Sequence, residues 1–458
     1  MKSLIYHWPP KWLLFIFFAI FIVSGCRKQI DQLLVQNQTA DNSAHGHLKQ
    51  TQTFSSEVVV KWMAMELRLT QTATGANPFG YNPTRIFAYD GIALYESVVH
   101  GMPSFQTLSG QLTDFPAMPD TKPGVAYHWP TCANAALAFM NRHLSPNTSD
   151  ANKASMDSLE NALNTGYQSE VDADEFQRSV DYGRAVAEIV FDWSTTDGSA
   201  TVYPPYVPPS GPGLWEPTPP GFVPAAFPHL SNNRYLVQGS IGGADPDPFP
   251  TYSTDPSSPY YALEREVYDI SQSLTPDQIA QGLYYRDAPG YPVGGHYLSI
   301  VMQVLQQEQS GLDKAAITFA QAGITAYDAL LGCWRIKYRD NIERPITYIR
   351  GVLGFTTWNA LFNTPPHPDF PSGHSTEAGA FETILTHLFG ENYHLTNHTY
   401  DYLGMPPQNY SSFSDMAAQI GNARVLAGIH TRYACTQGRL QGQRIAQNIL
   451  NTLQFQKQ

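Results

Sequence analysis

Apolar residues recur at spacings of three and four over residues 56–72, 83–99, 130–143, 150–166 and 172–195. That period puts them on one face of a helix, so each segment is expected to be an amphipathic helix with its stripe turned to a core. No sustained alternation of apolar and polar positions marks a sheet, and no repeat stands out. The helical pattern then stops. From Tyr203 to Pro228 the chain reads YPPYVPPSGPGLWEPTPPGFVPAAFP, where proline removes backbone donors and keeps its predecessor out of the helix. Trp215, Phe222 and Phe227 are interleaved with those prolines, so an ordered loop packed on the surface is expected, not a free linker. Helical periodicity resumes over 256–282, 294–308 and 312–337 and again after 372. The pattern predicts an all-α protein. A first helical bundle over 56–200 and a second over 256–458 are joined by a proline-rich crossover at 201–255.

The N-terminus concerns targeting. Lys2 and Lys11 flank an uncharged run from Trp12 to Val23, followed by Ser24, Gly25 and Cys26. Such a run is short for a bilayer span and reads as a cleavable export signal over 1–26. Val-Ser-Gly-Cys resembles the lipobox of bacterial lipoproteins, with Cys26 as the lipidated first residue. Polar residues 27–55 would then tether the body to a membrane, giving an extracytoplasmic protein, periplasmic or on the cell surface.

Composition narrows the function. Among 458 residues, 42 % are hydrophobic and 14 % charged, with 27 basic residues against 39 acidic ones and a net charge of −12. Without residues 1–26, which hold two lysines and no acid, 25 bases face 39 acids and the balance falls to −14. A chain this acidic lacks the basic surface that nucleic-acid phosphates demand. Any anion site must be a local cluster of cations. Beyond Cys26 the cysteines are Cys132, Cys333 and Cys435, too dispersed for a disulfide framework or a thiolate metal site; buried small hydrophobes are expected.

Chemistry concentrates in residues 337–430, in three pieces. The first is Lys337-x6-Arg344-Pro345. In a continuous helix Arg344 would return to nearly the face of Lys337, roughly 10 Å along the axis, but Pro345 biases it to a helix exit. A point charge and a planar fork on one face suit a tetrahedral oxyanion. The second is His367-Pro-Asp-Phe-Pro-Ser-Gly-His-Ser. Its prolines forbid a helix, whereas Phe381, Ile384, Leu385 and Leu388 follow helical spacing, so Ser372, Gly373 and His374 should open a helix. Free donors and the positive dipole end gather there. The third is Arg424-x5-His430, whose residues in an ideal helix would lie about 9 Å apart along the axis and roughly 120° around it. They could flank one ion but not stack. Each piece alone has an ordinary reading: a solvated helix face, a helix cap with a surface histidine, a core histidine beside a surface arginine.

Together and in this order the three pieces resemble the signature of the vanadium haloperoxidases and the related type 2 phosphatidic acid phosphatases. Trp334, the GPGLWEPTPPGF stretch and RDAPGYPVGGHY at 286–297 look like bacterial members. The resemblance implies two four-helix bundles around one oxyanion pocket. It implies that Lys337, Arg344, Ser372, Gly373 and Arg424 hold the oxygens of vanadate, or of phosphate in the phosphatases. His430 corresponds to the vanadium-bonded histidine, or to a phosphatase nucleophile that forms a phosphohistidine. His374 corresponds to the acid–base residue, and Asp287, in an Asp-x-Pro-Gly setting, to the acid that orients it. Trp334 and His367 correspond to positions near the halide, His367 being a histidine in algal bromoperoxidases and often phenylalanine in chloride-oxidising enzymes.

Two departures bear on the choice of chemistry. Ala423 replaces a common serine, and after His430 the chain reads Thr-Arg-Tyr-Ala where phosphatases usually carry Pro-Ser-Asp. The second departure, and the absence of the several spans of lipid phosphatases, favour a vanadate-dependent haloperoxidase that oxidises bromide or iodide with hydrogen peroxide. An extracytoplasmic acid phosphatase is the runner-up, and a non-catalytic oxyanion-binding lipoprotein the third reading. The expected membrane contact is the N-terminal lipid alone. His128, His143, His229 and His296 are expected to be structural.

Overall fold

The computed structural model describes residues 49–72, 82–287 and 290–457. The export signal, Cys26 and the tether up to residue 48 lie outside them. Residues 49–122 and 127–457 form one compact unit, with Pro123–Ala126 grouped apart from it. Among the described residues there are thirteen α-helices and one small antiparallel pair of strands, β1 (Leu395–Asn397) and β2 (Gln408–Tyr410).

The first half holds α1 (Glu57–Gln71), α2 (Pro83–Val98), α3 (Trp129–Leu144), α4 (Asp150–Tyr167) and α5 (Ala173–Ser194), close to the periodic segments of the sequence. The second holds α6 (Pro259–Ser271), α7 (Pro276–Tyr284), α8 (Val293–Gln307), α9 (Leu312–Asp340), α10 (Pro345–Gly351), α11 (Gly373–Phe389), α12 (Phe413–Leu426) and α13 (Arg432–Thr452). The expected single helix over 256–282 is two. Thr275 caps a new start, accepting from Gln278 N while the Gln278 side chain accepts from Thr275 N, and Pro276 occupies the first turn. This capping box at a proline stops one helix and begins another. The expected tether also ends early, since Thr51 is buried and its hydroxyl donates to Val98 O at 2.9 Å.

Helix α9 is the spine. Most of its 29 residues are buried, including Ala315, Ala316, Ala320, Ala322, Ala326 and Ala329. Buried on most sides, it lies inside the protein, and its small side chains let both α2 of the first half and α11 of the second pack against it. Helix α11 is gripped in turn by α13. A Cβ on Gly438 would stand 2.8 Å from Ser372 O, so only glycine allows α13 to lie against the start of α11.

The proline-rich stretch is ordered without secondary structure. Trp215 is fully buried and its amide donates to Asn341 O at 2.7 Å. Burying a tryptophan removes roughly 200 Å² from water, on the order of 5 kcal/mol, which offsets the ordering of several loop residues. Ala226 ties the stretch down again: its N–H donates to Pro366 O at 2.8 Å, and its carbonyl accepts from Tyr338 Oη at 2.5 Å. Phe222 departs from the expectation, being 63 % exposed.

Candidate active site

The three sequence pieces meet on the non-helical segment from Pro365 to Ser372. Lys337 projects from the last turn of α9. That helix ends at Asp340, with Asn341 in the left-handed conformation, so Lys337 and Arg344 do not share a helix. Arg344 stands in extended backbone as the cap residue of α10, with Pro345 in its first turn. Proline at that position places the guanidinium at a helix entrance.

Both cations are fully buried and grip the same segment. Lys337 Nζ donates to Pro368 O at 2.7 Å and Asp369 O at 3.1 Å. Arg344 Nε donates to His367 O at 2.7 Å and Nη2 to Pro365 O at 3.3 Å. Burial pushes the Lys337 ammonium down to about 7, with the Arg344 charge adding to the effect. Burial also brings Arg344 to about 10. An unpaired buried cation is costly, and an anion placed among these groups relieves that cost.

The second piece behaves as its prolines imply. Ser372 caps α11, its hydroxyl accepting from Ser375 N at 3.4 Å. Gly373 and His374 occupy the first turn, where amides have no carbonyl four residues back. A Cβ on Gly373 would stand 3.1 Å from Cζ3 of Trp334, so the glycine keeps the tryptophan against the helix entrance. The Trp334 and His367 rings face each other with centroids 5.1 Å apart, and His367 Nδ1 lies 3.0 Å from Arg344 Nη2.

The third piece straddles a helix break. Arg424 lies near the end of α12, and Gly428, with φ +77°, turns the chain so that His430 precedes α13. Arg424 and His430 are both buried, not split between core and surface. Arg424 donates through Nη1 to Tyr285 O, and its Nε is buried with no hydrogen-bond partner among the described residues. Of the three cations it therefore has a donor in reserve.

His374 and His430 are each backed by a carboxylate. His374 Nε2 lies 3.2 Å from Asp287 Oδ1, and the His374 carbonyl accepts from Tyr297 Oη at 2.7 Å. Burial, then the Arg424 charge, lowers the His374 pKa, with Asp287 opposing. Burial raises Asp287, but His374 and Arg424 outweigh it and hold the carboxyl below its usual range. His430 Nδ1 lies 2.7 Å from Asp369 Oδ1, and its Nε2 lies 3.1 Å from Arg344 Nη1. Burial and the charges of Arg344, Lys337 and Arg424 hold His430 neutral, far below the ordinary imidazole range.

All the predicted site residues except Cys26 are thus gathered at one place. Asp369 is the functional residue that sequence reasoning passed over, although it stands inside the His367–His374 motif. Tyr297 and the Tyr285 carbonyl are further supports with no sequence signal. His296 is structural and adjacent: Nδ1 lies 3.1 Å from Tyr400 Oη, and Nε2 lies 3.2 Å from Asn397 Nδ2. Cys132, Cys333 and Cys435 are free and buried.

Residues 317–457 match the family described as the VCPO second helical-bundle domain. Over 88 % of this chain and 98 % of the other, the fold is similar to that of a bacterial vanadium-dependent iodoperoxidase, with TM-score 0.79 and 26 % identity. An apo-type bacterial vanadium-dependent chloroperoxidase is similar at TM-score 0.62 and 14 % identity, covering 84 % of this chain and 97 % of that one. A holo-type one is similar at 0.57 and 16 %, covering 82 % and 97 %. At those identities the two chloroperoxidases speak to fold alone. No curated protein sequence matches.

Proposed function

We propose that the chain, whose residues 317–457 match the VCPO second helical-bundle domain and whose fold is similar to that of a bacterial vanadium-dependent iodoperoxidase, is a vanadate-dependent haloperoxidase oxidising bromide or iodide with hydrogen peroxide. The observation that carries the reading is the convergence of three buried cations, a helix N-terminus and a neutral histidine on one point. That donor set fits vanadate. The unpartnered Nε of Arg424 asks for an acceptor, the depressed Lys337 asks for a negative charge, and His430 offers a neutral imidazole, the form in which histidine ligates metals. Vanadate, when bound, supplies the Lewis acid that activates peroxide toward halide.

The protein's own part is binding, orientation and proton handling. Lys337, Arg344 and Arg424 neutralise the oxyanion, with the amides of Gly373 and His374 and the Ser372 hydroxyl beside them; this charge is fixed before any substrate arrives. His430 holds the metal. His374, whose Nε2 faces Asp287, would give and take a proton at Nδ1. Trp334 and His367 line the side on which halide approaches. Protein outside the cytoplasm, anchored through lipidated Cys26, completes the reading; labelling by a palmitate analogue that is lost in Cys26→Ala tests it.

The decisive experiment frees the protein of phosphate, reconstitutes it with orthovanadate, and follows bromide and iodide oxidation by peroxide. Vanadate-dependent turnover that disappears in His430→Ala is expected. Hydrolysis of p-nitrophenyl phosphate, inhibited by vanadate and without halide oxidation, would make it a phosphatase. Vanadate binding with no turnover of either kind would make it a binding protein.

A further inference from the structure

The four residues after His430 are Thr431, Arg432, Tyr433 and Ala434, so its own helix supplies no acid. The carboxylate comes instead from Asp369, 61 positions earlier. Asp369 is fully buried, and among the described residues each of its polar groups except Oδ1 is hydrogen-bonded. Its amide donates to Ile342 O at 2.9 Å and its carbonyl accepts from Lys337. Oδ2 accepts from the Thr431 hydroxyl at 3.2 Å, the same hydroxyl that accepts from Ala434 N to cap α13. Oδ1 faces His430 Nδ1 at 2.7 Å and Arg344 Nη1 at 3.7 Å.

We propose that Asp369 is the positioning residue of the metal-binding histidine, fixing His430 as the Nδ1–H tautomer with the Nε2 lone pair turned to the oxyanion. This rests on the vanadate reading above. A carboxylate is an acceptor only, so the Nδ1 that faces it must carry the proton. Arg344 Nη1 stands 3.1 Å from Nε2 and 3.5 Å from Nδ1, beside the ring, so it does not claim the in-plane Nε2 lone pair. Ligating histidines are commonly oriented by an acceptor on the second ring nitrogen, which also raises their basicity. Here the Asp369 backbone is pinned by the site's own lysine and its side chain by the residue next to the ligand. Orientation of the imidazole is therefore built into the cradle that receives the anion.

The test is the isosteric Asp369→Asn, which keeps the shape and removes both the charge and the guarantee of an acceptor. With phosphate-free protein, vanadate affinity should fall about 10- to 100-fold, the scale of losing such an orienting partner, with little change in melting temperature. In ¹⁵N-histidine NMR the His430 signal should move from pure Nδ1–H toward Nε2–H. Vanadate affinity within twofold of the parent, with the tautomer unchanged, would overturn the proposal. If Asp369→Asn does not fold, the unsubstituted protein still decides: Nε2–H at His430 overturns it. Failure of the haloperoxidase reading is distinguishable, because the parent protein would then bind vanadate and oxidise no halide, while these two measurements remain.

Discussion

The site contains two histidine–carboxylate pairs, and they are built differently. His430 and Asp369 meet at 2.7 Å with side chains 2 % and 0 % exposed. His374 and Asp287 meet at 3.2 Å, and Asp287 is 39 % exposed. The inner pair is closed off, flanked by Arg344 and locked into backbone. Such a pair can hold an orientation but has no direct exchange with solvent. The outer pair stands where α11 begins; the oxygen facing His374 is buried, but the Asp287 side chain as a whole is partly exposed, which under the proposed function would let its histidine exchange a proton on each cycle. Under the proposed function two similar dyads would be divided between ligation and proton transfer, the closed one holding and the more open one exchanging, as environment divides paired carboxylates in other active sites.

The strongest way to break that division is to remove the outer histidine. In His374→Ala, vanadate should still bind to the protein, with affinity reduced only slightly, while kcat for halide oxidation should fall by about 10²- to 10⁴-fold, the usual contribution of a positioned acid or base. Equilibrium binding beside steady-state kinetics separates the two. An equal loss of binding and of rate would mean that both histidines serve the anion.

Next in size are the cations. Lys337→Ala and Arg424→Ala should each weaken vanadate binding by about 1.5–3 kcal/mol, the scale of a charge-assisted hydrogen bond. Titration of vanadate into each variant measures this. Unchanged affinity in both would move the anion elsewhere.

Much of this was legible in the sequence, for physical reasons. The helices, α9 among them, could be read because apolar spacing reports a buried face. The start of α11 could be read because Pro371 ends one conformation and Ser372 caps the next. What escaped depends on long-range contacts. Asp369 sits in the quoted motif, but its partner His430 is 61 residues away, and a carboxylate between two prolines looks like a turn residue. The shared helix face assumed for Lys337 and Arg344 fails at Asn341, whose left-handed backbone ends α9. The aromatics of the proline-rich loop were read alike, yet only position in space separates buried Trp215 from exposed Phe222.

A smaller effect probes the outer pair alone. Asp287 raises the affinity of His374 for its proton against burial and against Arg424. In Asp287→Asn that support is lost, so the His374 pKa falls further and the limb of the pH–rate profile that reports it should move to lower pH. Iodide oxidation across pH 4–8 would show it. A limb that stays in place would make Asp287 a bystander.

The smallest effect concerns the floor beneath the inner pair. Lys337 is pushed down to about 7 by burial, whereas in the unfolded chain it keeps its proton to about 10.4. Between those values the unfolded state binds more protons, so this lysine makes the anion-free protein more stable as pH rises through that window. An anion reverses the balance, because it favours charged Lys337 and draws a proton in as it binds. Sulfate is a suitable probe, since its own charge is constant over this range. Its affinity should be level below pH 7 and decline above it, approaching one proton taken up per ion. His430, held neutral far below this window, contributes nothing to that slope, and Lys337→Met should flatten it. A slope that survives the substitution would assign the proton to another group, and with it the claim that the cradle is charged by its ligand.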